Sequence, residues 1–202
     1  METRDVREVI AAVVGGLVGE GNGAPVGGPD NVPAADGEPA PPRRPAGGLA
    51  EIAVGSDHAG FLLKQRIAAD LLEHGFTVHD CGPEAPDPVD YPDYAHAVAR
   101  LVADGDCRWG IVIDGAGIGS AIAANKVPGV RAATCWDVSS ARNSREHNHA
   151  NVLALGAGFL GEALALQVVQ AWLSTPWAGG RHARRVAKIT EIERRSAREV
   201  AA

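Results

Sequence analysis

The chain has 202 residues, a formal net charge of -6 and 46% hydrophobic residues, enough apolar mass to fill one core of ordinary size. The acidic balance excludes the basic face that nucleic-acid binders carry, and no apolar run is long enough to span a bilayer. The three cysteines, Cys81, Cys107 and Cys135, are odd in number and lack C-x-x-C spacing, which argues against a disulfide framework or a thiolate zinc site and for a reducing cytoplasm.

From the N-terminus, Val6, Val9, Ile10, Val13, Val14, Leu17 and Val18 follow the spacing of an amphipathic helix. Thr3 suits its cap and Gly21 its end. Neither a cationic start nor a cleavage site marks this segment as a secretion signal. Residues Gly21 to Gly48 hold seven prolines and seven glycines with almost no large apolar side chain, the composition of a disordered linker that cannot offset its ordering entropy. The chain thus divides into a helix at 1–20, a linker at 21–48 and a domain at 49–202. In that domain the pattern predicts elements at Glu51–Gly55, Phe61–His74, Thr77–Asp80, Tyr94–Asp104, Trp109–Asp114, Ile118–Lys126, Val130–Trp136, Val138–Glu146, Val152–Leu155, Glu162–Leu173 and Ala183–Ala197. Five short apolar strands alternating with helices predict an α/β fold, a Rossmann-like three-layer α/β/α arrangement around a five-stranded parallel sheet.

The most informative stretch is Asp114-Gly115-Ala116-Gly117-Ile118-Gly119. It sets a carboxylate at the end of a buried strand and three glycines before a helix, where open α/β sheets bind ligands. Two readings of Asp114 follow: a base beside an oxyanion cradle made by the N–H groups of Gly115, Ala116, Gly117, Ile118 and Gly119, or a cap of the following helix. A dinucleotide-binding oxidoreductase also uses a glycine-rich turn, but here Ser120 follows G-x-G-x-G and the loop follows the third strand instead of the first. No cofactor is implied. His147-x-His149 raises a metal reading, yet no matched cysteine or carboxylate completes a tetrahedral set, and no metal is expected.

Several motifs together resemble ribose-5-phosphate isomerase B and the related galactose-6-phosphate isomerase subunits. They are Gly55-Ser56-Asp57-His58-Ala59-Gly60, Asp90-Tyr91-Pro92, the glycine loop, Ala123 to Ala132, Ser144-Arg145-Glu146-His147-Asn148, Asn151-Val152-Leu153-Ala154 and Gly179-Gly180-Arg181-His182, in order across roughly Glu51 to Arg195. The resemblance implies a metal-free aldose–ketose isomerisation of a phosphorylated sugar, in a homodimer or a tetramer, with active sites assembled from both subunits. Such a reaction removes a proton beside a carbonyl and returns it to the neighbouring carbon through an enediolate, so one base and one anion cradle suffice.

The resemblance places Asp114 as base, His147 as the acid that protonates the ring oxygen, and Asn148 as a ligand of the open sugar. Asp57 and His58 face sugar hydroxyls, phosphate or the ring oxygen, or else make a turn. Tyr91 lies near the substrate, and Arg181 and Arg185, four apart, form a phosphate-binding pair. Three positions depart from the family pattern. Asp114 stands where one branch has cysteine, while a second branch uses glutamate at the position of Ser120; Ala116 replaces a hydroxyl residue; Gly158 replaces an arginine. These departures bear on the substrate. They leave open ribose 5-phosphate, a tetrose or hexose phosphate, and an inactive scaffold. The helix at 1–20 resembles the encapsulation peptides of bacterial microcompartments, which implies a shell or cargo protein as partner and a cytoplasmic or microcompartment location; membrane-surface binding is the runner-up, weakened by nearly cancelling arginine and acid content, and packing on its own protein or a dimer mate is the plainer alternative.

Overall fold

The computed structural model describes residues 50–201, so the expected N-terminal helix and linker lie outside the described residues. Eleven elements alternate: β1 (Glu51–Ser56), α1 (Phe61–Glu73), β2 (Thr77–Asp80), α2 (Tyr91–Asp104), β3 (Trp109–Asp114), α3 (Ile118–Ala124), β4 (Ala132–Thr134), α4 (Val138–Glu146), β5 (Val152–Gly156), α5 (Glu162–Ser174) and α6 (Arg181–Ala201). All five strands pair in parallel in the order β2-β1-β3-β5-β4. The α/β fold with a five-stranded parallel sheet is the expected one.

Alternation along the central strands divides the core. Ile52, Val54, Ile111, Ile113, Leu153 and Leu155 point to one face and pack with Ile67 and Leu71 of α1, Ala141 of α4, and Val168, Val169 and Trp172 of α5. Ala53, Val112, Val152 and Ala154 point to the other, against Ala95, Val98, Ala99 and Val102 of α2 and Ala121 and Ala124 of α3. Large aliphatic side chains thus fill one interlayer and small ones let α2 and α3 approach the other. Each fully buried Val, Leu or Ile stabilises the fold by roughly 1.5–3 kcal/mol.

Three elements differ from expectation by more than two residues in all. Helix α2 starts at Tyr91, three residues before the expected Tyr94, because Asp90 is extended at φ -87° and Pro92 lies in the first turn, where its missing N–H costs nothing. The expected strand Val130–Trp136 contracts to Ala132–Thr134. Side chains replace ladder bonds there: Asn125 pairs with both backbone groups of Ala132 at 2.8 and 2.9 Å, and Asn151 accepts from the Arg131 N–H at 2.7 Å. Helix α6 begins at Arg181 and runs past the expected Ala197 to Ala201.

Lys64 on α1 is fully buried, with its ammonium 2.5 Å from Asp80 and 2.8 Å from the Pro83 carbonyl. It ties α1 to the turn after β2. Asp80 is 42% exposed, so the two partners are not equivalent. Asp80→Ala should cost about 3–5 kcal/mol by stranding a buried cation. Lys64→Met leaves a carboxylate that water can reach and should cost only about 1–2 kcal/mol. Urea unfolding of both variants checks the order, and the reverse order would contradict this account.

Candidate active site

The strand order reverses direction between β1 and β3, since β1 connects to β2 on one side while β3 lies on the other. Loops leaving the C-terminal ends of these two strands therefore diverge and leave a crevice. Asp114 is the last residue of β3 and is 5% exposed. Its Oδ1 accepts from the Ala116 N–H at 2.7 Å and from the Gly117 N–H, while Oδ2 accepts from the Ser120 N–H at 2.8 Å. Burial pushes its pKa up, but the hydrogen bonds from Ser120, Gly117 and Ala116 outweigh that and hold the carboxyl below its usual value. It is ionised at neutral pH.

These bonds close the loop on itself. Gly117 must adopt φ +76°, and a Cβ there would lie 2.7 Å from the Leu155 carbonyl carbon, so only glycine fits both the turn and the approach to β5. The loop carbonyls are held from outside: Asp114 accepts from Ala157 at 2.8 Å, Gly115 from Gly158 at 2.9 Å, and Gly117 from the Thr134 hydroxyl at 2.8 Å. Of the five N–H groups expected to form a cradle, those of Ala116 and Gly117 serve Asp114. Those of Gly115, Ile118 and Gly119 have no hydrogen-bond partner among the described residues. Asp114 thus organises the helix entry and lies beside free donors, an arrangement compatible with either reading.

Asp57 follows β1 and is 7% exposed. Its N–H donates to the Ile113 carbonyl at 3.0 Å and its Oδ1 accepts from Gly60 at 2.9 Å. It therefore spans the β1–β3 crevice beside Asp114 and shapes the turn into α1. His58 is exposed, with Nδ1 at 3.3 Å from the Val89 carbonyl. Tyr91 packs over Gly119, where a Cβ would fall 2.6 Å from the phenol Cζ. Asp57, His58, Tyr91 and the glycine loop thus gather at the C-terminal ends of the strands.

His147, Asn148, Arg181 and Arg185 lie elsewhere. Helix α4 runs back along the sheet, so His147 at its C-terminus sits just before β5 begins, near the start of β3. The backbone confirms this placement: Ala150 donates to Ser144 at 3.0 Å, and Gly110 donates to Asn151 at 3.0 Å. The length of β3 separates this end from Asp114, about 16 Å at ~3.3 Å per residue. Here His147 stacks on His182 with centroids 4.3 Å apart and planes 2° from parallel. The Asn143 amide nitrogen is 2.9 Å from His147 Nδ1. Asn148, Arg181 and Arg185 are exposed. Arg181 opens α6 and Arg185 follows one turn later on the same face. Asn143 and His182 were not singled out from the sequence, although His182 stands inside the Gly-Gly-Arg-His motif.

His149 stacks instead on Trp177, with centroids 4.6 Å apart, so the two histidines of His147-x-His149 have separate partners. Among the described residues, Glu51, His79 and Cys107 bring metal-ligand types together within 4.8 Å. They lie at the opposite end of β1 from Asp57. The Glu51 carboxylate is already 2.7 Å from His79 Nε2, and burial pushes the Cys107 thiol up to about 12, away from the thiolate that binds metal.

A model of the Ribose/Galactose Isomerase family matches residues 52–189. Ribose-5-phosphate isomerase B of Escherichia coli is 48% identical over 147 residues, covering 73% of this chain and 99% of that protein. D-erythrulose-4-phosphate isomerase of Pectobacterium atrosepticum is 42% identical over 147 residues, covering 72% of this chain and 96% of that protein. Among solved structures, ribose-5-phosphate isomerase B of Clostridium thermocellum is 52% identical with a TM-score of 0.72, covering 72% of this chain and 99% of that one. Motifs, fold and relatives agree, and the chain belongs to the ribose/galactose isomerase family.

Proposed function

We propose that the chain interconverts the aldose and ketose forms of a phosphorylated sugar, with ribose 5-phosphate and ribulose 5-phosphate as the pair. The observation that carries this reading is the pairing of ionised Asp114 with free loop amides at the β1–β3 crevice. Asp114 takes the proton from the carbon beside the carbonyl. As the carboxylate becomes neutral and the substrate oxygen becomes negative, the Ala116 and Gly117 amides turn from the first to the second and join Gly115, Ile118 and Gly119. Each strong donor to such an oxyanion contributes about 3–4 kcal/mol in the transition state. The low pKa of Asp114 makes it a weak base at rest, and losing those two bonds is what raises its basicity. Asp57, His58 and Tyr91 orient the sugar.

The remaining roles need a second copy of the chain. His147 for ring opening, Asn148 for the open sugar, and Arg181 and Arg185 for the phosphate stand at the other end of the sheet from Asp114, so one chain does not bring both halves to one sugar. A homodimer in which each crevice receives the partner's histidine and arginine cluster does. A tetrose phosphate is the second substrate reading. It is supported by the relative named for D-erythrulose 4-phosphate and by Asp114 and Ala116, which change the reach and the donors of the loop. For residues 1–20 the apolar stripe supports docking to a microcompartment shell or cargo protein within the cytoplasm, a reading that rests on sequence alone.

Asp114→Asn keeps size and hydrogen-bonding capacity but removes the base. Isomerisation and exchange of the sugar C2 proton with solvent deuterium should fall together by ~10²–10⁴-fold. Retained exchange in a folded variant would leave Asp114 as the loop's organiser alone. A heterodimer of one Asp114→Asn chain and one His147→Ala chain should recover about half the wild-type turnover, because one of its two shared sites is intact; sites confined to single chains would recover none. Arg181→Ala should raise the KM for the sugar phosphate by about 10–100-fold with an unchanged melting temperature, as expected for loss of a charge-assisted bond worth about 1.5–3 kcal/mol. An unchanged KM would remove Arg181 from phosphate recognition.

A further inference from the structure

At the N-terminal edge of β3 a cavity of about 330 Å³ is lined by Arg108, Trp109, Arg145, His149, Leu173, Ser174, Thr175, Pro176 and Trp177. None of the residues assigned above to catalysis or sugar binding lines it. Arg145 is 5% exposed. Its Nη1 donates to the Ala150 carbonyl, whereas its buried Nε has no acceptor. The guanidinium stacks over Trp172 at 4.9 Å and Trp109 at 5.6 Å, and Arg108 covers Trp109 at 4.2 Å. Neither Arg108 nor Arg145 forms an ion pair among the described residues. Arg131 adds a third cation nearby, its Nε donating to the His149 carbonyl at 2.9 Å.

Buried cations ordinarily have a carboxylate partner or a full set of acceptors. Here burial, Arg108 and Arg131 lower the Arg145 pKa to about 10, which still leaves it charged at neutral pH. The same environment marks His149. Burial, Arg131 and Arg145 bring it down to about 4, so it is a neutral donor, and it holds the left-handed φ of 51° that non-glycine residues rarely adopt. Two cations, a neutral imidazole and aromatic walls surround the same space.

We propose that this cavity is a phosphate-binding site, separate from the isomerase crevice, whose dianion is held by Arg108 and Arg145 and bordered by His149 and Trp177. The charge balance favours a dianion: two guanidinium groups face the cavity with no acidic side chain in its lining. Arginine forks fit phosphate oxygens in pairs. The volume admits a phosphate together with a small organic group, so free phosphate and a phosphate monoester share the site's chemistry.

Tryptophan fluorescence of the full chain reads occupancy directly, because Trp109 and Trp177 border the cavity. Inorganic phosphate titrated at constant ionic strength should give a saturable change that acetate does not. Arg108→Gln, an exposed change, should weaken that change by about 10–100-fold, the loss expected for a charge-assisted bond, with turnover in phosphate-free buffer unaltered. Arg181→Ala should leave it intact. Glycerol 2-phosphate in the same titration separates the sources: tighter binding than phosphate identifies a monoester ligand, and equal or weaker binding identifies free phosphate. A signal that survives Arg108→Gln, one lost with Arg181→Ala, or no saturable signal would overturn the proposal. Arg145→Met provides a second check: if it folds by circular dichroism, it must lose the signal too.

Discussion

The carboxylate of Asp114 is the constraint on which the crevice depends. A turn between a buried strand and a helix leaves several N–H groups without carbonyl partners, and in a water-poor setting each would be costly. Asp114 satisfies three of them at once. Because Gly117 must take a positive φ to deliver its amide and must lie against Leu155, the same interaction fixes how closely the loop packs on β5. Carbonyls on the far side of the loop are then positioned to accept from Ala157 and Gly158, so a single anion orders both the donors facing the crevice and the acceptors facing the sheet.

Sheet topology sets the second constraint. A parallel sheet sends every strand the same way, so all strand-to-helix loops collect at one end and all helix-to-strand loops at the other. Asp57, His58 and the glycine loop belong to the first class. His147 and Asn148, which lie between α4 and β5, belong to the second. No adjustment of loop conformation exchanges these ends, and a reaction that needs both sets of residues therefore selects an assembly. Stacking of His147 on His182 links α4 to the start of α6, so the histidine is held beside the helix that carries Arg181 and Arg185.

The sequence made the strands and the crevice legible for a simple reason: Trp109 to Ile113 is an unbroken apolar run closed by a carboxylate and glycines, a local signal for a buried strand and its exit. It was less informative where side chains replace backbone pairing. Val130 to Trp136 reads as seven strand residues, yet Asn125 and Asn151 take over the hydrogen bonds at its start, and amides distant in sequence leave no trace in local periodicity. The choice between base and cap for Asp114 was visible as a choice; the capping part needed the three donor distances, and the base part is the proposal made above. The placement of His147 opposite Asp114 depends on helix direction and strand order together, and the unpaired Arg145 depends on which carboxylates fail to reach it. Neither property resides in any short motif.

The substitution pattern of the loop also has a physical logic. A thiolate at the strand end forms weak hydrogen bonds, so a loop built around cysteine gains little by directing amides at it and benefits from a nearby hydroxyl to hold the oxyanion. A carboxylate reverses that balance. Its two oxygens draw in the amides of Ala116, Gly117 and Ser120, order the loop without help from a side chain at position 116, and keep the carboxyl ionised. The cost is basicity, since every hydrogen bond that stabilises the anion lowers its demand for a proton. On the proposed reading of Asp114 as base, that cost is recovered only if the donors move to the substrate as the proton arrives, which requires the substrate oxygen to lie within reach of the same amides. On that reading Asp114 and Ala116 are one coupled change, and the position of the sugar's reacting carbons follows from the amides they share.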